Sequence, residues 1–145
     1  MSSATGSRRR AREVAFRVAY QADVAGDAYA FAWSLRLADE DPLSEDQREL
    51  VQDMVLLLES RAAEVDVILR ESMEERWPLH RLAATDRAVL RIAVAELLAR
   101  AGSPARVVLD ESIEIARRFG SEESGRFVNG VLHRAARRLR PGEFE

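Results

Sequence analysis

The 145-residue chain contains no cysteine. That excludes disulfides, thiolate metal sites and cysteine nucleophiles. Histidine occurs only twice, as His80 and His133, leaving little material for a histidine-based metal centre or proton relay. No apolar run approaches the ~20 residues of a membrane-spanning helix. The first seven residues lead into arginines rather than an apolar segment, so no secretory signal and a cytoplasmic location are expected. Lysine is missing as well: all 22 basic residues are arginine. Arginine forks bind phosphate bidentately and stack on flat rings better than an ammonium does.

Glycine (7) and proline (4) are scarce and sit at boundaries, and no stretch alternates apolar with polar residues. The pattern is therefore helical nearly throughout. A chain of this size buries roughly 68–70% of its unfolded surface and folds without staples. The net charge of -3 conceals an asymmetry. Arg8, Arg9, Arg10, Arg12 and Arg17 face Glu13 alone in the first twenty residues, and residues 21 to 69 hold an acidic excess. Arg126, Arg134, Arg137, Arg138 and Arg140 then stand without an acid between them. Such separation fits a basic footprint for a polyanion, and equally a solvated basic helix face.

The expected fold is all-α, with six or seven helices in two small packed bundles forming one compact unit. Residues 1–7 should be a flexible terminus, 8–76 an N-terminal helical subdomain and 77–145 a C-terminal one. The first helix should run from about Arg8 to Ala25 and stop at Gly26, burying Ala11, Val14, Ala15, Val18, Ala22 and Ala25. A short helix over Tyr29 to Leu37 follows, anchored by Phe31, Trp33 and Leu35 and broken by Asp39-Glu40-Asp41-Pro42. Ser44 with Gln47 forms a capping box for a long helix through Leu50, Val51, Met54, Leu57, Leu58, Val65, Ile68 and Leu69. Trp77-Pro78 marks the join of the halves. Three helices follow. One starts near Thr85, a second is capped by Ser103 ahead of Pro104, and the last is capped by Ser121. The last buries Val128, Val131, Leu132, Ala135 and Leu139.

No convergent set of reactive groups stands out, and no cofactor is implied. His80 reads as a helix-start or packing residue and His133 as exposed. Glu96 lies on the apolar face of its helix and must be paired, with Arg100 or with an arginine from a neighbouring helix, because a lone buried charge is very costly. Opposite the alanine/valine face of the first helix lie Arg8, Arg9, Arg12, Phe16 and Tyr20, pointing away from the core. Arginines interleaved with aromatics suit single-stranded nucleic acid, since rings stack unpaired bases at roughly 1–3 kcal/mol each. Phe16 could instead pack against the other half of the protein. At the start of the last helix, Glu123, Arg126, Phe127 and Asn129 could discriminate base edges. For both groups to act on one RNA, the two ends of the chain must meet.

Several segments together resemble the transcription antitermination factor NusB family. They are Arg8-Arg9-Arg10-Ala11-Arg12-Glu13, Ala19-Tyr20-Gln21-Ala22-Asp23, Asp86-Arg87-Ala88-Val89-Leu90-Arg91-Ile92-Ala93, Glu111-Ser112-Ile113-Glu114-Ile115-Ala116 and Phe127-Val128-Asn129-Gly130-Val131-Leu132. Residues 24 to 76 match in helix pattern only. The resemblance implies two small helical bundles that bind the boxA element of ribosomal RNA leader transcripts. It implies partnership with NusE, a small-subunit ribosomal protein, within the transcription elongation complex. By position it implies RNA contact at Arg8, Arg9, Arg12, Tyr20, Glu123, Arg126 and Phe127, and a NusE surface on the helix containing Asp86. Two alternatives stay open: an RNA-recognition domain related to those of RNA methyltransferases, or a protein-interaction scaffold or homodimer.

Overall fold

The computed structural model describes residues 4–39, 42–75 and 78–144. Among them are six α-helices and no strand: α1 Ala4–Ala25, α2 Tyr29–Asp39, α3 Glu45–Ser72, α4 Ala84–Ala99, α5 Ala105–Phe119 and α6 Glu122–Leu139. Short 3-10 turns cover Leu79–Arg81 and Pro141–Glu143. The helix α1 begins at Ala4, inside the segment expected to be flexible. The expected breaker residues Glu40 and Asp41, and the join at Trp77, lie outside the described residues.

The hub is α4, which packs against α1, α3, α5 and α6. Nine of its sixteen residues are buried, Glu96 among them. A helix surrounded on this scale needs side chains small enough to admit close neighbours, and α4 supplies Ala88, Ala93 and Ala95. Helix α1 answers with Ala11, Ala15, Ala19 and Ala22, and one continuous core runs from Ala11 to Ala136.

Local signals explain most helix ends. Ser44 and Gln47 form the expected capping box, with the Gln47 N–H donating to Ser44 Oγ at 3.2 Å and the Ser44 N–H to Gln47 Oε1 at 2.8 Å. Gly26, at φ 74, follows α1 in the left-handed region that glycine adopts without strain. Helix α3 bends at Arg61 (φ -131, ψ 30). Beside the bend, the Ser60 hydroxyl donates to the Leu56 carbonyl at 2.9 Å, a back-bond that bends helices. The bend rephases α3 so that Leu50, Met54 and Leu58 before it, and Val65, Ile68 and Leu69 after it, all reach the core.

Four expectations change. Arg12 does not point away from the core: it is 2% exposed and clasps Glu96, with Nε to Oε1 and Nη2 to Oε2 both at 2.7 Å. Phe16, at 4% exposed, is buried as well. The apolar residues of α1 mark the centre of its buried arc. Because α1 is covered from several sides, that arc widens to about 200° on a 100°-per-residue wheel and takes in Arg12 and Phe16. The Glu96 partner is therefore Arg12 on a neighbouring helix, while Arg100 pairs with Asp53 at 2.7 Å. Trp33 anchors α2, but Phe31 and Leu35 are exposed, as is Ala25 at the end of α1. Lastly, Ser103 does not cap α5. Pro104 occupies the cap position, and the first amide, Ala105 N, donates instead to Glu143 Oε1 at 2.9 Å. Arg140 braces the same corner, donating to the carbonyls of Leu97, Arg100 and Ser103 and to Glu143.

Arg12→Ala leaves the Glu96 carboxylate buried without its partner, and is expected to cost about 3–5 kcal/mol by chemical denaturation. The double variant Arg12→Met/Glu96→Leu is expected to lose much less, because no charge is stranded; an equal or larger loss overturns this account. The Ala105 N–H and Arg140 hold the Glu143 carboxyl below the usual glutamate range. Its stabilising effect is therefore complete above the unfolded pKa, about 4.3, and is lost as pH falls through the folded one. Glu143→Gln should lower Tm at pH 7, and the difference from the parent should close in acid.

Candidate nucleic-acid interface

The edge of α1 that faces α5 carries Arg9, Glu13, Phe16 and Tyr20, spaced so that they fall on one side of the helix. Each of the first three meets a residue of α5. Arg9 forks onto Glu111 at 2.9 and 3.2 Å, and Glu13 accepts from Arg118. The Phe16 ring lies 5.0 Å from Phe119. Tyr20 continues the row, 6.2 Å from Phe16 and 38% exposed. Guanidinium groups from Arg17 and Arg118 lie 5.5 and 5.3 Å from the Phe119 ring centre, within cation–π range.

This seam opens into a cleft of about 440 Å³ lined by Phe16, Arg17, Tyr20, Val24, Arg36, Thr85 and Phe119. A second groove, of about 560 Å³, is lined by Arg81, Asp86, Ser121, Glu123, Phe127 and Arg134, among others. The two share the first turn of α4 as a wall, with Thr85 in one and Asp86 in the other. They are also linked by chain, because Phe119 lines the first and Ser121 the second. The short turn between them works because Ser121 caps α6, its Oγ accepting from the Ser124 N–H at 3.1 Å. Gly120 has no room for a Cβ, which would meet Ser124 Oγ at 2.7 Å and the Ala116 carbonyl at 2.8 Å.

The candidate residues thus divide. Arg8 is exposed with no ion pair among the described residues, and Arg9 is half exposed but engaged with Glu111. Arg12 is buried and can act only by fixing α1, while Phe16, at 4% exposed, reaches the wall of the first cleft. Tyr20, Glu123, Arg126 and Asn129 are exposed and Phe127 half-buried. Phe127 and Asn129 emerge on opposite flanks of α6, and Phe127 alone of the two lines the groove. Asp86 does not stand on a separate face: it shares the groove with Glu123, and Ser124 hydrogen-bonds to it. Phe119, Arg17 and Arg118 were absent from the candidates. Phe119 carries the stripe signal of a core residue, and nothing local ties it to Phe16, more than a hundred residues earlier.

Burial pushes the Asp86 carboxyl above the usual aspartate range; the Ser124 hydrogen bond pulls it part of the way back, and the charge of Glu123 raises it again. One carboxylate oxygen, Oδ1, is buried without a hydrogen-bond partner. A raised folded-state pKa makes the ionised form the unfavourable one. Its penalty is absent below the unfolded pKa and complete above the folded one. Asp86→Asn is therefore expected to raise Tm at pH 7, with the gain disappearing in acid; a loss of stability at pH 7 contradicts this. No three His, Asp or Glu among the described residues are grouped to hold a metal ion, and no helix among them is long and apolar enough to cross a membrane.

Comparison with known proteins agrees with this architecture. The family model described as "NusB family" matches residues 9–137, including the stretch between 24 and 76. The transcription antitermination protein NusB of Koribacter versatilis is 39% identical over 139 residues, covering 96% of this chain and 94% of that protein. The NusB protein of Anaeromyxobacter dehalogenans is 40% identical over 137 residues, covering 94% and 95%. Among solved structures, T. maritima NusB superposes with a TM-score of 0.85 at 31% identity, covering 99% of both chains. A crystal structure of antitermination factors NusB and NusE in complex with double-stranded RNA gives a TM-score of 0.81 at 26% identity, covering 91% and 97%. With its six helices, its linked grooves and these likenesses, the chain belongs to the NusB family.

Proposed function

We propose that this protein is an RNA-binding transcription antitermination factor. In this reading it holds an unpaired, boxA-like RNA together with a NusE partner and keeps RNA polymerase from terminating early. It works by binding and assembly, and catalysis is assigned to none of its residues. The observation that carries the reading is the pair of clefts meeting at the first turn of α4. One offers aromatic faces and guanidinium groups, and the other offers hydrogen-bonding groups suited to base edges. The solved complex of a similar NusB with NusE and double-stranded RNA supports its RNA and NusE parts, and the unpaired state of the RNA rests on the aromatic faces of the first cleft.

RNA contact is assigned to Arg8, Arg9, Tyr20, Glu123, Arg126, Phe127 and Asn129. Arg8 and Arg9 neutralise phosphate, Tyr20 and Phe127 supply stacking faces, and Glu123 and Asn129 read base edges. Arg12 holds α1 in register and does not touch RNA, and Phe16 backs Tyr20 at the wall of the first cleft. Asp86 marks the NusE contact, at the wall between the clefts.

Titration of a boxA-like RNA, with and without NusE, tests the reading. Arg8 has no ion pair, so Arg8→Ala is expected to flatten the plot of log affinity against log salt by about 0.7 while leaving Tm unchanged. Arg9→Ala should weaken binding and also lower Tm, since it strands the Glu111 carboxylate. Unchanged affinity and salt slope in Arg8→Ala would remove the α1 footprint.

A further inference from the structure

The outward face of α6 carries a second basic feature, of which these contacts use only Arg126. Arg126, Gly130, His133 and Arg137 lie within about 60° of one another on a helical wheel, directly opposite buried Val128, Leu132 and Ala135. Arg126, His133 and Arg137 are exposed, and no ion pair engages either arginine among the described residues. The neighbouring arginines differ: Arg134 reaches Glu74 and the Ser72 carbonyl, and Arg138 reaches Glu71. Glu71 of α3 and Glu74 just beyond it thus neutralise one flank of α6, and the outermost row keeps its charge.

Gly130 sits in the middle of that row. A glycine inside a helix costs roughly 0.5–1 kcal/mol relative to alanine, so its presence needs a reason. At Gly125 the reason is packing, because a Cβ would fall 2.7 Å from Arg117 Cγ. At Gly130 packing gives none: a Cβ would meet only the Arg134 guanidinium, at an ordinary 3.6 Å. The backbone at Gly130 is half-buried, with only the mobile end of the Arg134 side chain over it, between two arginines that no acid among the described residues engages.

We propose that this row is a track for the phosphate backbone of RNA running beyond the segment held at the two clefts. The inference rests on the RNA-binding reading above, and the track begins at Arg126, one of the residues assigned there. From Arg126 to Arg137 is eleven residues, about 16 Å of helix. That length faces several phosphates of one strand, at about 3.4 Å of axis per phosphate in a stacked strand. The two arginines grip phosphates bidentately, the His133 ring donates a hydrogen bond, and Gly130 lets the sugar-phosphate chain approach the helix between them. An acidic protein segment could use the same charges. The glycine favours RNA, because with the Arg134 guanidinium swung aside it admits a backbone and leaves no pocket for the side chains by which a protein segment would be recognised.

Fluorescence anisotropy with two RNAs tests the track: a boxA-like oligonucleotide alone, and the same sequence extended at each end in turn by unpaired nucleotides. The parent protein should bind one extended RNA more tightly than the short one and with a steeper salt dependence. Arg137→Ala should abolish that advantage while leaving short-RNA affinity unchanged. Gly130→Ala should reduce it at least threefold with Tm equal or higher. If the short RNA does not bind, the RNA-binding reading itself fails. If it binds but neither extension adds affinity, or Arg137→Ala changes nothing, the track is wrong and the reading stands. A lower Tm for Gly130→Ala would return that glycine to a packing role and overturn its part in the track. If Arg137→Ala spares the extended RNA but abolishes binding of poly-glutamate, the face is a protein-docking surface and the proposal is overturned.

Discussion

Everything on the binding side of this molecule depends on one buried fork, Arg12 against Glu96. Two charges taken out of water rarely add net stability, since desolvation consumes most of their attraction. What such a pair can supply is registry, because each partner is tolerable only where it finds the other. Apart from Asp23, which takes Arg87 and Arg91 at the far end of α1, the residues that α1 buries here are mostly alanine and valine, which alone resist a slip of one turn only weakly. The fork makes that slip costly. With α1 so fixed, Arg9, Glu13 and Phe16 come opposite Glu111, Arg118 and Phe119, and Tyr20 falls beside Thr85.

The helical character of the chain, the Ser44 and Ser121 caps and most of the buried stripe of α6 were all legible in the sequence. Each depends on residues a few positions apart. What could not be read depends on how many neighbours surround an element. The wheel of α1 gives the centre of its buried arc but not its width, so Arg12 and Phe16 fell on the wrong side. The wheel of α2 overstates burial, because little covers Phe31 and Leu35. The cap of α5 comes from Glu143, 38 residues away, so the Ser103-Pro104 signal misleads. Within the candidate site, Tyr20, Glu123 and Phe127 were legible as residues. The partnership of Phe16 with Phe119, and that of Asp86 with Ser124 and Glu123, was not.

The arginines sort into three kinds. Arg12, Arg87, Arg91 and Arg140 tie helices together from positions partly or wholly removed from water. Arg9, Arg118, Arg134 and Arg138 sit at the surface but already hold carboxylates. Among the described residues, Arg8, Arg81, Arg126 and Arg137 on this side hold none, nor do Arg48, Arg70 and Arg106 elsewhere. A count of positive charge along the chain therefore overstates the field available to a polyanion. The footprint is set by the few guanidinium groups that the protein's own acids do not reach.

The fork also joins positions 84 residues apart in the chain. At a synthesis rate of about 5–20 residues per second, roughly 4–17 s separate the making of Arg12 from the making of Glu96. Through that interval α1 has neither its counter-ion nor the helix that covers its alanines, and it exists as a short basic amphipathic peptide. The nascent chain thus presents its most arginine-rich segment first and neutralises it late. Translation through the end of α4 sets the moment at which a sticky cationic helix becomes part of a folded protein.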